Sequence, residues 1–181
     1  MNIKEFYNLA KNHFSFKLTA KQDLTLYKLS EFILNDDDNS LFILKGYAGT
    51  GKTTILSAII NNLWKIKKSG VLMAPTGRAA QVLAKYSKRA ASTIHRKIYW
   101  IRTNKSGNTF ITRKEHTHTN TIFFVDEASM IGNQPYTEEE RKESEVIFED
   151  GELLNDLLRN INEKSLKNKI TIQYTYLSSR V

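Results

Sequence analysis

The feature that most constrains this chain is a glycine-rich octapeptide, G-Y-A-G-T-G-K-T, at residues 46–53. It follows an apolar run at residues 41–44 and precedes another at residues 55–60, so a buried strand is expected to turn into a helix here. Glycines let the backbone approach a polyphosphate closely, and the amides of such a loop and of the helix start donate hydrogen bonds to it. In this context the octapeptide indicates a phosphate-binding loop rather than an ordinary glycine-rich turn.

Two side chains of the loop carry its chemistry. Lys52 is expected to reach the β and γ phosphates of a nucleoside triphosphate as a point charge, and Thr53 to place its hydroxyl on Mg2+. ATP and Mg2+ are therefore the predicted ligands. The other candidate nucleotide-binding residues belong to the same loop and to the start of its helix: Gly46, Ala48, Gly49, Thr50, Gly51 and Thr54.

The apolar run at residues 121–125 ends in Asp126 and Glu127, and this pair is predicted to complete the site. Asp126, at the strand end, would hold Mg2+ through a water molecule opposite Thr53, and Glu127 would orient or deprotonate the attacking water. The candidate catalytic residues are thus Lys52, Asp126 and Glu127. A glutamate next to the aspartate favours hydrolysis over the transfer to an acceptor hydroxyl that a nucleoside or nucleotide kinase carries out.

Apolar strands and helical patterns alternate along the chain, which indicates an α/β fold: a parallel sheet flanked by helices, of the P-loop NTPase type. Ligands bind such sheets at the carboxyl ends of the strands. We expect helices over residues 1–40 and one nucleotide-binding domain over residues 41–181. The strands are predicted at 41–45, 71–74, 121–125 and 169–177, and the helices at 3–14, 19–34, 52–67, 78–88 and 152–161.

Composition limits the class of protein and of partner. The chain of 181 residues, with 40% hydrophobic content, is long enough for one well-packed domain. Its formal net charge of +8 favours anionic partners such as nucleotides or nucleic acid. The absence of cysteine excludes disulfides and thiolate metal sites. Neither a signal-peptide pattern nor an apolar run of about 20 residues occurs, so we expect a cytoplasmic protein without a membrane partner.

Residues 99–120 interrupt the alternation of strands and helices. The strand-like segments 99–103 and 109–113 are separated by a turn sequence, which predicts a β-hairpin inserted into the main domain. The segment is basic with aromatic residues between the charges. Tyr99 and Trp100 could stack on the bases of a nucleic acid, or they could pack beneath the hairpin.

Two other segments carry residues suited to nucleic acid. Thr76 and Arg78 follow the strand predicted at 71–74, where a helix start with a hydroxyl and an arginine could meet a phosphate. A capped helix with a surface arginine explains the same residues. His95 lies beside hydroxyl residues and an arginine, and it could contact a strand backbone or be a half-buried structural histidine.

Five short motifs follow one another in the chain: L-T-A-K-Q at 18–22, the loop at 46–53, A-P-T-G-R-A-A at 74–80, S-T-I-H-R at 92–96 and V-D-E-A-S-M at 125–130. In order and spacing they closely resemble the first motor domain of RecD-like and Dda-like superfamily 1B DNA helicases. The resemblance runs from about residue 18 to residue 131. It implies a RecA-like fold and an ATP-dependent helicase that translocates 5′ to 3′ on single-stranded DNA.

The resemblance also implies roles for individual residues. Gln22 would contact the adenine of ATP. Thr76, Arg78 and His95 fall in motifs that touch single-stranded DNA in this family or relay its presence to the ATP site. The hairpin at 99–120 is similar to the small inserted subdomain that separates the strands as a pin.

The sequence departs from the family after residue 131. A Gly-Asp-x-x-Gln motif on the next strand is absent, and so is a second motor domain with its arginine finger. We therefore expect a truncated helicase, whose 181 residues bind ATP and Mg2+ but hydrolyse ATP slowly and do not unwind DNA. Two other functions fit the same residues: a stand-alone P-loop ATPase switch or adaptor, and a nucleic-acid-binding module with a vestigial nucleotide site.

Overall fold

The computed structural model describes residues 1–35, 40–103, 109–115, 118–131, 146–147, 153–162 and 168–176. Its helices are α1 (Ile3–Lys11), α2 (Ala20–Leu34), α3 (Lys52–Ile60), α4 (Gly77–Ser87), α5 (Ile94–Ile98) and α6 (Leu153–Asn162). Its strands are β1 (Leu41–Tyr47), β2 (Ser69–Ala74), β3 (Ala91–Thr93), β4 (Tyr99–Thr103), β5 (Thr109–Arg113), β6 (Thr121–Val125), β7 (Val146–Ile147) and β8 (Lys169–Tyr176).

Five of these strands form one parallel sheet in the order β1, β8, β6, β2, β3. The predicted α/β fold with a parallel sheet and flanking helices is therefore confirmed. The strand before the phosphate-binding loop and the strand before the two carboxylates are not neighbours, because β8 lies between them. Ile172 of β8 pairs with Ile43 on one side and with Val125 on the other.

Two apolar cores hold the helices against the sheet. The first contains residues of α1, α2, α3 and α4 together with Leu44, Leu72 and Phe124 of the strands. The second joins α5 and α6 to the sheet and includes buried residues such as Phe123 and Ile172. All five residues of β6 are buried and they contribute to both cores, and residues 169–173 of β8 are buried, as expected for central strands of a parallel sheet.

The N-terminal helices begin where their capping residues predict. The side chain of Thr19 accepts a hydrogen bond from the amide of Gln22, and the side chain of Gln22 accepts one from the amide of Thr19. Asn2 and Glu5 form the same reciprocal arrangement at α1. Such capping boxes satisfy amides that have no partner within the helix.

The structure differs from the sequence-based expectation in several places, and the helix predicted over 3–14 already ends at Lys11. The helix predicted over 52–67 ends at Ile60, and a separate 3-10 helix covers Leu63–Ile66. Between them, Asn62 bonds back through its side-chain amide to the carbonyl of Ala58, which is typical of an asparagine competing with helix propagation. Strand β3 and helix α5 were not predicted, because three and five residues are too short to show a periodicity.

A second, smaller sheet stands beside the first. Strands β4 and β5 are antiparallel, with Tyr99 opposite Arg113, and β7 pairs with β5 in parallel. The turn predicted between the two antiparallel strands lies outside the described residues. In the part of the chain that is described, no helix is long and apolar enough to cross a membrane.

A buried lysine fixes the far end of α2. Lys169, the first residue of β8, donates hydrogen bonds from its ammonium group to the carbonyl oxygens of Phe32 and Asn35. The same ammonium lies 5.0 Å from the centre of the Phe32 ring. A cation at a helix C-terminus is favourable because the last carbonyls lack partners within the helix and carry partial negative charge.

Replacing this lysine should therefore destabilise the fold. We expect Lys169→Met to lower the free energy of unfolding by about 1–3 kcal/mol, since the carbonyls at the end of α2 lose a charged donor. Lys28→Met is the control, because Lys28 is exposed and pairs with Glu31 on the surface; this variant should lose much less stability than Lys169→Met. Urea unfolding of both variants measures the difference, and equal losses would contradict a structural role for Lys169.

Candidate nucleotide-binding site

The loop between β1 and α3 contains two residues with positive φ angles, and both are glycines. Gly49 and Gly51 have φ angles of 77° and 85°, in the left-handed region that favours glycine. A Cβ at Gly51 would also lie 2.9 Å from the Nε2 atom of Gln22, so the Gln22 side chain would have to shift. Gly51 precedes α3 without a side-chain cap, so the first amides of the helix point out from the end of the loop.

Lys52 forms hydrogen bonds with the backbone of its own loop. Its ammonium donates hydrogen bonds to the carbonyl oxygens of Gly46 at 2.9 Å and of Tyr47 at 2.8 Å. The side chain is 7% exposed, and burial lowers its pKa, while the negative charges of Glu127 and Asp126 act in the opposite direction. A cation in this position gains from an anionic ligand, which would supply stronger acceptors than two carbonyls.

The predicted metal ligands meet at the carboxyl ends of two strands. The hydroxyl of Thr53 donates to the Oδ2 atom of Asp126 at 3.4 Å. Asp126 is buried, and this burial raises the pKa of its carboxyl group, although the amide of Glu127 donates to its Oδ1 atom at 2.9 Å. A hydroxyl and a buried carboxylate are hard oxygen donors of the kind Mg2+ prefers, so the residues fit this ion.

Glu127 follows directly, in a backbone conformation that is rare for its residue type. Its φ angle is 53°, in the left-handed region. Non-glycine residues in this region cluster at functional sites, where the surrounding structure compensates for the cost. The residue lines a cavity of about 320 Å³ together with the phosphate-binding loop, so it borders the same space as Lys52 and Thr53.

The structure adds Gln173, which sequence reasoning missed. This residue of β8 is 1% exposed, its Nε2 atom donates to the Thr53 hydroxyl at 3.3 Å, and its Oε1 atom has no hydrogen-bond partner among the described residues. It lines the same cavity as Glu127. The one sequence feature that could have pointed to Gln173 is an amide side chain inside a strand of otherwise β-forming residues. The cavity itself could not be predicted, because it depends on β8 pairing between β1 and β6.

Gln22 lies on the other side of the loop. Its Nε2 atom donates to the carbonyl of Thr50 at 3.0 Å, and its Oε1 atom accepts from the amide of Thr19 at 3.0 Å. It lines a second cavity, of about 410 Å³, with α2 and the end of β1. Each of its amide atoms retains capacity for one more hydrogen bond, since a primary amide has two donors and two acceptor positions.

The candidate nucleic-acid residues divide into exposed and buried groups. Thr76 caps α4 by accepting from the amide of Ala79, and Arg78 is exposed in the first turn. His95 is half-buried with its ring centre 6.0 Å from that of Tyr99, and burial lowers its pKa. Tyr99 is buried, and its hydroxyl donates to Asp156, so it packs beneath the hairpin and does not offer its ring to a base.

Comparison with known proteins identifies the family of this fold and site. A family model described as an AAA domain matches residues 31–137, which is more than half of the chain. The chain belongs to the AAA domain family. A P-loop AAA domain implies nucleotide binding, usually with Mg2+.

Two curated relatives are similar to this AAA domain. Uncharacterized protein R530 of Acanthamoeba polyphaga mimivirus is 31% identical over 137 residues, which are 64% of this chain and 28% of that protein. The ATP-dependent DNA helicase dda of Enterobacteria phage T4 is 45% identical over 53 residues, or 29% of this chain and 12% of the helicase. The AAA domain thus spans less than a third of either relative. Among solved structures, the Phi-28 gp11 DNA packaging motor matches with a TM-score of 0.34 and 13% identity, over 82% of this chain and 50% of that one.

The raised pKa of Asp126 predicts an effect on stability. Its burial favours the protonated form in the folded state, so the free energy of unfolding decreases as the pH rises through the folded-state pKa. Asp126→Asn removes the buried charge; it should raise the melting temperature of the ligand-free AAA domain at neutral pH. The gain should shrink as acidification protonates the wild-type carboxyl group.

Asp23→Asn is a control variant whose stability should change in the opposite direction. A hydrogen bond from Lys11 lowers the pKa of Asp23, so this variant should lose stability at neutral pH, and the loss should disappear on acidification. Thermal unfolding over a pH series measures both. A destabilising effect of Asp126→Asn in ligand-free protein at neutral pH would contradict the assigned direction.

Proposed function

We propose that this AAA domain is the ATP-binding motor domain of a superfamily 1B, Dda-like and RecD-like DNA helicase. In this role it couples ATP hydrolysis to 5′ to 3′ movement along single-stranded DNA. The observation that carries the nucleotide part is that Lys52, Thr53 and Glu127 line one cavity, and that the Thr53 hydroxyl donates to Asp126 beside it. The five sequence motifs and the similarity to the T4 helicase support the DNA part.

Binding of a triphosphate would change the partners of Lys52. The phosphate oxygens replace the carbonyls of Gly46 and Tyr47 as acceptors for the ammonium, and the loop amides and the start of α3 supply the remaining donors. Thr53 and Asp126 are the residues that would hold Mg2+. This ion, when bound, neutralises charge on the phosphate oxygens.

Hydrolysis requires a water molecule in line with the terminal phosphate. Glu127 is the group that orients this water and accepts its proton. Gln173 fixes the Thr53 hydroxyl through its Nε2 atom and has an acceptor, Oε1, available for the same water. Among the described residues that line this cavity there is no arginine to stabilise the charge on the transferred group. We propose that an arginine from outside this lining supplies that charge, because loss of such an arginine costs about 1,000-fold or more in related enzymes.

Adenine recognition is assigned to Gln22. The second N–H of its amide and the second lone pair of its carbonyl match the N7 acceptor and the N6 donor of adenine. Single-stranded DNA would lie at the carboxyl edge of the sheet. There the exposed Arg78 and the hydroxyl and amides at the start of α4 offer contacts to its phosphates, beside His95.

Two variants separate binding from hydrolysis. Lys52→Ala should abolish ATP binding, because it removes the charged donor of the loop, whereas Glu127→Gln should bind ATP and fail to hydrolyse it. Calorimetric titration with ATP and Mg2+ measures binding, and steady-state phosphate release with and without single-stranded DNA measures turnover. A Lys52→Ala variant that still binds DNA but shows no change in ATP binding would overturn the nucleotide assignment. Turnover by the wild-type chain at ordinary helicase rates would overturn the need for an external arginine.

Gln173 is tested against a neighbour of the same strand. Gln173→Leu should retain ATP affinity and slow single-turnover hydrolysis by roughly 100-fold, since the water loses a positioning group. Thr171→Val is the matched control, because Thr171 is equally buried on β8 and does not line the cavity, and its hydroxyl has no partner in the part of the chain that the structure describes. Equal rates for the two variants would show that Gln173 acts only in packing.

A further inference from the structure

The outer face of the β4–β5 hairpin combines an exposed tryptophan with positive charge. In the antiparallel register Trp100 lies opposite Thr112, and Tyr99 lies opposite Arg113. Tyr99 and Ile111 are buried in the second core, so the alternate positions face outward. On this outer face Trp100, Arg102 and Thr112 are exposed, and Trp100 retains 53% of its accessible surface.

Lys114 completes this surface. It follows β5 directly, and its ammonium lies 4.3 Å from the centre of the Trp100 ring, within the range of a cation–π contact. The same ammonium donates to the carbonyl oxygen of Arg96 at 2.6 Å. One face of the indole is therefore occupied by a cation, and the ring remains half exposed beyond it.

The surface is fixed to the body of the domain. The amide of Lys114 donates to the carbonyl of Ile98, and the side chain of Asn160 on α6 donates to the carbonyl of Lys114. One residue before Trp100, the hydroxyl of Tyr99 donates to Asp156 on the same helix. Helix α6 thus holds both strands of the hairpin at their base, so the indole and the ammonium keep their relative positions.

We propose that Trp100 and Lys114 form a stacking platform for one unpaired base of a single-stranded nucleic acid, with Lys114 and Arg102 binding its phosphates. Base–aromatic stacking needs an exposed, rigid ring, and a flanking cation adds attraction for the backbone. The platform rests on the proposed function and is separate from the contacts at the start of α4. Because stacking does not read the base edge, the platform is expected to accept any sequence.

The chain contains a built-in control for this proposal. Its other tryptophan, Trp64, is 65% exposed and has a lysine ammonium, that of Lys65, 5.7 Å from its ring centre. It belongs to the 3-10 helix before β2 and not to the hairpin. The two tryptophans therefore share exposure and a neighbouring cation and differ in their position on the fold.

The experiment uses single-tryptophan variants of the full chain and an oligo-dT strand. In Trp64→Phe the remaining indole is Trp100, and its fluorescence should be quenched as oligo-dT is added; in Trp100→Phe the emission should not change. Trp100→Ala should weaken binding by about tenfold or more, measured by anisotropy of a labelled strand, while Trp64→Ala binds as wild type. Lys114→Met should reduce the slope of log affinity against log salt by about 0.7, and Lys65→Met should leave it unchanged.

The outcomes separate the platform from the proposed function. Binding by anisotropy without quenching of Trp100, and with unchanged affinity in Trp100→Ala, would overturn the platform and leave the helicase assignment in place. Absence of any oligo-dT binding by a chain that still binds ATP would overturn the platform and the DNA part of the proposed function together. Circular dichroism and melting temperatures of each variant confirm that the hairpin variants fold as wild type does.

Discussion

The parallel pairing of β8 between β1 and β6 is the constraint on which the rest of the site depends. It sets the spacing between the loop that carries Lys52 and Thr53 and the strand end that carries Asp126 and Glu127. With β8 in place, the Thr53 hydroxyl donates to the Asp126 carboxylate, and the Gln173 amide donates to that hydroxyl. Without β8, the phosphate-binding loop and the two carboxylates would follow adjacent strands, and the site would lack Gln173.

Burial of charge gives this site its chemical character. Lys52 and Asp126 are both largely removed from solvent, and burial shifts the pKa of each towards the neutral form, downward for the ammonium and upward for the carboxyl group. In the ligand-free protein the ammonium is satisfied by carbonyls of its own loop. An anionic ligand with its cation would provide stronger partners to both groups, which is the physical basis for expecting nucleotide binding at this place.

The helices tie the site to the remainder of the fold. Helix α2 contacts the phosphate-binding loop through Gln22 at its first turn, and β8 through Lys169 at its last. Helix α6 packs on the opposite core and holds the base of the hairpin through Asp156 and Asn160. Strand β8, which carries Gln173, thus contacts α2, which borders a nucleotide cavity. Helix α6 links the hairpin to the same sheet.

The sequence by itself determined the features that depend only on residues close together in the chain. Residues 46–53 specify their own turn through glycine and the helix that follows, and Thr19 and Gln22 specify the start of α2. The alternation of apolar strands and helices was sufficient to predict the parallel α/β sheet. The order of strands was decided only in the tertiary structure, because pairing between distant segments leaves no periodic signal in either one. That order turned Gln173 from a residue within a strand into part of the site, and burial against Asp156 removed Tyr99 from the surface and left Trp100 exposed.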